Sequence, residues 1–178
     1  MTASVDDLAR ASEAVGDLLA AIRPDQWAAP TPCSAWDVRG VVDHLVVVNL
    51  TFAAQLGGGP APELGVDRLG DDPVAAFRTS AATLLDALAR TPSDSPGVDR
   101  LRLRLADLIT HGWDLAKATG IPVQVPAELA EGSLTFLREQ LATRPRGAQF
   151  AEPKPIDDAA PALDRLAAFA GRTVAPHS

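Results

Sequence analysis

Two histidines and one aspartate are the residues of this chain whose types and spacing best suit chemistry. Asp107 and His111 stand four residues apart in the stretch LRLRLADLITHGWDLAKATG, and residues four apart on a helix are neighbours, so the two side chains can reach one point. His44 lies far upstream in a second apolar stretch. Facing helices of a bundle assemble metal sites from such inward-pointing side chains. We therefore interpret His44, Asp107 and His111 as candidate ligands of a divalent metal.

A plainer interpretation stays open beside this one. An Asp/His pair at this spacing is more often an exposed hydrogen-bonded pair, and the protein could be helical without any metal. The apolar surroundings of His44 and His111 favour the metal, because imidazoles buried near helix midpoints are costly unless they satisfy one another or an ion. The third histidine, His177, lies near the C-terminus.

Three residues near the second candidate pair are candidates for supporting roles. Asp114 could be a fourth ligand, a helix cap or the acceptor that orients a ligating histidine, and we favour a supporting role. Trp113, its neighbour, is expected in the core or near the substrate. Arg104 and Arg102 are expected to face solvent, although Arg104, one turn before the candidate carboxylate, could reach an anionic substrate.

Cys33 and Trp36 precede the first candidate histidine. Ser34 and Asp37 resemble a capping box, so we expect a helix to begin at Ser34. About 16 Å of helix would then separate Cys33 from His44, at 1.5 Å per residue, which makes the thiol a poor ligand for the same ion. Packing is the expected role of Cys33, and Trp36 is expected in the core.

Apolar residues at helical spacing, bounded by Pro, Gly and capping signals, predict the elements that position these residues. Gly and Pro predict a mobile connector or pocket rim at 57–72, a turn cluster at 91–97 and an irregular strap at 144–161. Strand signals are scarce. We predict an all-α fold, an up-down four-helix bundle with an extra C-terminal helix. The predicted helices cover residues 2–22, 34–56, 73–88, 101–119, 127–141 and 162–170.

The bulk composition sets further limits. The 178 residues suit one domain, 1–178, whose C-terminal extension at 143–178 packs on the bundle. A formal net charge of −7 argues against nucleic acid and anionic membranes as partners. No apolar run is expected to approach the roughly 18–20 residues of a membrane span. The start of the chain also lacks the features of a secretory signal, so we expect a cytoplasmic protein. It could be a monomer or a homodimer, since apolar helix faces could pair between two copies. The single cysteine rules out an internal disulfide.

Three stretches together resemble a known family. The run TPCSAWDVR at 31–39, continuing to His44, is similar to its N-terminal signature, and Asp107-x-x-x-His111 followed by Trp113-Asp114-Leu is similar to its second signature. The tail at 150–171 resembles the C-terminal piece of one actinobacterial branch. The family is the DinB-like superfamily, specifically the metal-binding domain of mycothiol-dependent maleylpyruvate isomerase, and the resemblance spans nearly the whole chain.

This resemblance implies a four-helix bundle that holds one divalent ion through three side chains from two helices. Carried over by position, the ligands are His44, Asp107 and His111, with Asp107 standing where the characterised isomerase has glutamate. Two imidazoles and a carboxylate leave coordination positions open, as in catalytic sites. Zinc is the default ion, and nickel, iron and manganese remain open because ligand type selects metals only loosely.

The function that the resemblance implies is a metal-dependent enzyme that uses a low-molecular-weight thiol, mycothiol if the source is an actinobacterium. A thiol entering an open position would lose its proton and add to a small electrophilic substrate, for S-transfer or cis–trans isomerisation. Its expected partners are that substrate and the thiol. Three alternatives remain: a metal-dependent hydrolase of a small amide or ester, a non-haem iron oxygenase, and a non-enzymatic metal-containing module for ligand binding or stress response.

Overall fold

Six α-helices carry most of the regular structure of this chain. The computed structural model describes residues 3–63, 65–92, 100–143, 145–146 and 150–175. Within these ranges there is no β-strand, only an isolated antiparallel bridge between Pro30 and Asp37. The prediction of an all-α fold is therefore confirmed. The helices are α1 (Val5–Ala20), α2 (Val38–Gly57), α3 (Pro73–Arg90), α4 (Leu101–Thr119), α5 (Ala127–Thr143) and α6 (Ala162–Phe169), and a short 3₁₀ turn covers Pro24–Gln26.

Local capping chemistry sets two predicted boundaries as expected. The Asp72 carboxylate accepts a hydrogen bond of 2.9 Å from the Ala75 N–H, and Pro73 opens α3 at the position where a missing N–H costs nothing. Gly120 ends α4 with a φ of 72°, in the left-handed region that favours glycine. The helix that carries the candidate pair therefore has the predicted extent.

The start of α2 differs from the prediction. The helix begins at Val38, and its cap is Asp37, which accepts a hydrogen bond of 2.8 Å from the Gly40 N–H. The predicted start at Ser34 is wrong because the preceding residues find other partners. The Thr31 hydroxyl donates to the Cys33 and Trp36 carbonyls, at 3.0 and 2.7 Å, and holds this segment as a turn. Cys33 and Trp36 thus lie on a loop beside α2.

Helices α1 to α4 form the bundle. Both α1 and α2 pack mainly against α3 and α4, so that α1 and α2, although consecutive, lie diagonally rather than side by side. Of the four neighbouring pairs, α2 and α4 pack least closely, and polar side chains lie between them. The largest fully buried side chains are Leu8, Leu19, Leu45, Phe77, Leu84, Leu101, Leu108, Ile109, Leu115, Leu129, Leu134 and Leu137.

Helix α2 is more apolar than expected. Its 20 residues have a mean hydropathy of 1.3 over their most apolar window, which suffices by length and composition to cross a membrane. The expectation that no run approaches this limit is therefore wrong for α2, the one such helix in the described ranges. The core helix of a soluble protein meets the same criterion, and Val38, Val41, Val42 and Leu45 of α2 are fully buried in the bundle.

The C-terminal part of the chain packs on one side of the bundle. Helix α5 packs against α4, and α6 packs against both α5 and α4. The predicted last helix is present at Ala162–Phe169. Irregular chain at 151–157 runs beside it, and the Lys154 N–H donates to the Ala168 carbonyl at 2.9 Å. His177, positions 144 and 147–149 of the strap, position 64 of the connector and most of the turn cluster at 91–97 lie outside the described residues.

Candidate metal centre

The three predicted ligands lie together between α2 and α4. Nε2 of His44 is 3.3 Å from Oδ1 of Asp107, and Nε2 of His111 is 3.5 Å from the same oxygen. The ligand atoms of all three residues lie within 4.8 Å of one another. His44 comes from the first third of α2, whereas Asp107 and His111 lie on successive turns of α4.

These separations fit a tetrahedral ion. Bonds of about 2.0–2.1 Å from zinc to nitrogen and oxygen place neighbouring ligand atoms about 3.4 Å apart. The observed 3.3 and 3.5 Å agree with this spacing. Without an ion, an imidazole N–H can donate across the same gap to the carboxylate. The two spacings therefore suit a divalent cation, and the trio can also satisfy itself through hydrogen bonds.

The site is open on one side. The side chains of His44 and Asp107 are 24% and 25% exposed, whereas His111 is only 8% exposed. An ion held by these three atoms would be fixed from the protein side and accessible to small molecules from the other. This arrangement is typical of catalytic sites with open coordination positions and not of closed structural sites.

Arg104 lies behind the carboxylate, and its predicted exposure to solvent is wrong. It is 2% exposed and donates to Oδ2 of Asp107 at 2.9 Å. Its Nε and Nη2 donate to Oδ1 of Asn49, at 3.0 and 2.8 Å, and Asn49 donates in turn to Ser80. The side chain is buried because α2 supplies a polar partner in the core. Arg102, by contrast, is partly exposed and pairs with Glu139 at 3.2 Å.

The two oxygens of Asp107 therefore have different partners. Arg104 binds Oδ2, so Oδ1 is left to face the imidazoles. Burial by itself raises the pKa of the Asp107 carboxyl. The hydrogen bond with His44 and the charges of His111 and Arg104 outweigh burial, and the pKa lies well below its ordinary value. Asp107 is therefore an ionised carboxylate at neutral pH, the state that a metal ligand requires.

His111 is held from its other side. Its Nδ1 lies 3.0 Å from Oδ2 of Asp114, which is fully buried. Because an ionised carboxylate can only accept, the imidazole N–H donates there and Nε2 is left free to face Asp107. Arg172 donates to both oxygens of Asp114, at 3.1 and 2.8 Å. A carboxylate behind a histidine in this way is the usual device for fixing the ring of a ligand.

Comparison with known proteins bears on this arrangement. The family model of the mycothiol maleylpyruvate isomerase N-terminal domain matches residues 8–116. The chain belongs to this family. The matched region holds most of α1, all of α2 and α3, most of α4 and all three candidate ligands, while Arg172 and α6 lie beyond it.

Similar curated proteins extend this likeness along most of the chain. Two proteins of Mycobacterium tuberculosis, named uncharacterized protein MT0763 (strain CDC 1551 / Oshkosh) and uncharacterized protein Rv0738 (strain H37Rv), are each 36% identical over 177 residues. The alignment covers 93% of this chain and 95% of each relative. No solved structure matches the chain.

Cys33 and Trp36, both within the N-terminal signature, lie closer to the candidate metal centre than predicted. Trp36 is 38% exposed rather than in the core, and its ring stacks on that of His44 with centroids 4.5 Å apart. The ligand atoms of Cys33, His111 and Asp114 lie within 4.8 Å of one another. The predicted separation of Cys33 from the site is wrong because residues 34–37 are not helical.

The group that contains Cys33 is a poorer place for a cation than the first trio. Both oxygens of Asp114 already accept from Arg172, whose positive charge lies beside them, whereas Asp107 keeps one oxygen clear of its arginine. Burial, followed by the charge of Asp114, raises the pKa of the Cys33 thiol. Cys33 is therefore a neutral thiol at the edge of the centre in the metal-free chain.

Trp113 occupies the core, as predicted, and its indole N–H binds the C-terminal helix α6. It is 2% exposed, and its indole N–H donates to Oδ1 of Asp164 in α6 at 2.6 Å. Asp164 also lies 3.7 Å from Lys117. Trp113 thereby joins α4 to the C-terminal helix directly beside the ligand-bearing stretch.

Sequence reasoning missed three residues that hold the ligands in place, namely Arg172, Asn49 and Trp36 in its stacking role. Arg172 is 58 residues from Asp114, and Asn49 is 55 residues from Arg104. No local pattern connects such partners. The one available signal was general, because an aspartate and an arginine on an otherwise apolar helix face each require a partner when buried.

Proposed function

We propose that this protein is a divalent-metal-dependent enzyme that uses a low-molecular-weight thiol, of the mycothiol type, to add sulfur to a small electrophilic substrate or to isomerise it. The convergence of His44 Nε2, His111 Nε2 and Asp107 Oδ1 at a solvent-open position carries this proposal. Membership of the isomerase family supports the choice of a thiol as the second reactant.

The chemistry follows from the ion and from the residues around it. A bound divalent ion supplies acidity, so that a thiol at an open position is deprotonated at neutral pH. Arg104 and Asp114 hold one ligand each, which keeps the three donor atoms preorganised. Trp36 covers one face of His44 and excludes water there.

Two outcomes of sulfur addition distinguish the candidate reactions. The sulfur forms a bond to a carbon of an activated double bond, and the π electrons move onto the attached electron-withdrawing group. If the new single bond rotates and the sulfur leaves, the double bond re-forms with the opposite geometry. If the neighbouring carbon instead takes up a proton from water, the product is a thioether.

Metal content tests the foundation of this proposal. Protein purified without added metal is expected to contain about one equivalent of a divalent ion, zinc by default, with nickel, iron and manganese as the alternatives. His44→Ala and His111→Ala should each abolish bound metal. Asp17→Ala is the matched control, because the Asp17 side chain is 72% exposed on α1. Full metal retention in both histidine variants would refute the assignment.

Thiol dependence tests the chemistry separately. We expect the metal-loaded protein to convert small α,β-unsaturated acids, maleylpyruvate among them, when mycothiol is present and not when it is omitted. Turnover of amides or esters without thiol would instead show a hydrolase. Tight binding of one ligand with no turnover in either assay would show a binding or stress-response module.

The proposed setting of the enzyme follows from the same chemistry. We propose a cytoplasmic location, where low-molecular-weight thiols are kept reduced. The proposed partners are the thiol and the small substrate, without nucleic acid or membrane, in keeping with the net charge of −7. A monomer or a homodimer satisfies this proposal, and sedimentation of the purified chain would distinguish the two.

A further inference from the structure

Arg172 follows the C-terminal helix and is placed by a well-defined helix ending. The Gly171 N–H donates to the Ala168 carbonyl and the Arg172 N–H to the Ala167 carbonyl, each at 3.0 Å. These are the two bonds of a Schellman motif, which requires a left-handed residue at the position of Gly171. Gly171 has a φ of 93°. The direction in which the Arg172 side chain leaves α6 is therefore set by backbone geometry.

A close backbone approach sets the same position a second time. A Cβ atom on Gly171 would lie 2.6 Å from the Cβ of Ala151 and 3.0 Å from its backbone. Real Cβ atoms do not approach so closely, so only glycine fits between α6 and the extended chain beside it. The segment at 151–157 therefore packs closely against the end of α6, and the Arg172 side chain extends from there to Asp114 in α4.

The side chain of Arg172 reaches a buried carboxylate of the metal centre. Its Nε and Nη2 donate to Oδ1 and Oδ2 of Asp114, and its Nη1 donates to the Ala170 carbonyl at 2.9 Å. The Arg172 side chain is 10% exposed and Asp114 is not exposed at all. A two-pronged contact of this kind fixes the plane of the carboxylate as well as its position.

We propose that Arg172 is a positioning residue of the metal centre, acting through Asp114 on His111. The C-terminal extension, which lies beyond the matched family domain, would thereby complete the ion site. This inference rests on the proposed metal centre. It adds that Arg172 orients the carboxylate of Asp114, and that this carboxylate in turn determines where Nε2 of His111 points.

Loss of the guanidinium has a definite structural consequence. Of the hydrogen bonds that the structure describes for Asp114, the one with His111 would remain, and its carboxylate could rotate in the space left by the guanidinium. The His111 imidazole could then rotate with the carboxylate, and its Nε2 would no longer be held toward the position that it shares with Asp107 and His44. Mutations of residues that orient ligating histidines typically lower metal affinity 10- to 100-fold.

The test is a zinc affinity measurement on full-length variants. Competition with a chromophoric chelator gives the dissociation constant of Zn²⁺ for the wild type, Arg172→Met, Arg172→Lys and the matched control Arg165→Met. Arg165 is a partly buried arginine of α6 that binds Glu131 of α5 and the Ala160 carbonyl, and it has no contact with the centre among those the structure describes. Circular dichroism and urea unfolding of the metal-free proteins report whether each variant folds.

We expect Arg172→Met to weaken zinc binding 10- to 100-fold and Arg165→Met to leave it within about threefold. Arg172→Lys keeps the charge and loses the fork, and should fall between the wild type and Arg172→Met. In an Asp114→Asn background, adding Arg172→Met should weaken zinc binding no further, because the arginine acts through that carboxylate.

Distinct results would overturn this inference. Equal zinc affinity in the wild type and Arg172→Met would remove any role of Arg172. An equal loss in Arg172→Met and Arg165→Met would show that α6 acts only through overall stability. An additional loss in the Asp114→Asn background would show a route that bypasses Asp114. A wild type that binds no zinc or other divalent ion would refute the metal centre itself, and this inference with it.

Discussion

The buried arginine behind the candidate carboxylate offers the sharpest test of how this centre is built. In Arg104→Met the apolar stem is retained and the guanidinium is lost. The wild-type side chain is 2% exposed and donates three hydrogen bonds, two to Asn49 and one to Asp107. The substitution therefore leaves two acceptors without their donor, one of them charged, with little change in packing volume.

The expected cost follows from these two acceptors. Oδ1 of Asn49 stays buried with no other donor among the described contacts, which costs about 1–3 kcal/mol. Breaking a fully buried ion pair costs about 3–5 kcal/mol, but a quarter of the Asp107 side chain is exposed and its contact with His44 remains. The pair therefore contributes at the low end. With about 3 kcal/mol for the pair and about 1–3 kcal/mol for Asn49, we expect a total loss of about 4–6 kcal/mol in the free energy of unfolding.

Urea unfolding of the metal-free proteins, followed by circular dichroism, measures this loss. The control is Asn49→Leu/Arg104→Met, in which the buried amide is removed together with its partner. Removing a buried acceptor together with its donor is far less costly than leaving the acceptor without a donor, and the Ser80 hydroxyl still donates to the Phe77 carbonyl. The double variant should therefore regain the part of the loss that belongs to Asn49, about 1–3 kcal/mol, while Asp107 still lacks its arginine. A loss below about 1 kcal/mol in Arg104→Met, or no recovery in the double variant, would refute the reasoning.

Three further predictions follow from the same contacts. The pKa of Asp107 is lowered in the folded chain. The stabilising effect of its carboxylate is therefore present above the unfolded-state pKa of about 3.9 and is lost as the pH falls. The difference in urea midpoint between the metal-free wild type and Asp107→Asn should accordingly shrink between about pH 5 and pH 2. Gly171→Ala should lower the free energy of unfolding by about 1–3 kcal/mol through left-handed strain and overpacking, seen as a reduced melting temperature, and should also weaken zinc binding. Trp36→Phe should remove most of the tryptophan fluorescence change caused by zinc, since Trp36 stacks on His44; an unchanged signal would assign that change to another tryptophan.

The parts of the fold that sequence could predict are those set by neighbours in the chain. Asp72-Pro73 and Gly120 act within one turn of their own helices, so α3 begins and α4 ends where the residues require. The four-residue spacing of Asp107 and His111 likewise places both on one face of α4. Such features depend on backbone geometry that a short stretch determines alone.

The failures share a different cause, which is competition between local and distant partners. Ser34 and Asp37 have the spacing of a capping box, yet the Thr31 hydroxyl binds the carbonyls of residues 33 and 36. The carbonyls of residues 27 and 29 accept from the N–H groups of residues 39 and 38, where the helix begins. That turn brings Cys33 and Trp36 to the centre. Arg104 carries a charge that suggests a solvated face, and only Asn49, on another helix, shows why it can be buried. Propensity cannot report such pairings.

The charges around the centre indicate which ligands it favours once an ion is bound. Within the described residues, Asp107 and Asp114 are the carboxylates that pair with the imidazoles, and Arg104 and Arg172 each pair with one of them. With neutral histidines these four side chains sum to zero charge, although the whole chain carries −7. The protein therefore leaves the double charge of a bound ion uncompensated. Because a buried net charge is costly, we expect the loaded centre to favour an anionic ligand, such as a deprotonated thiol, over a neutral one.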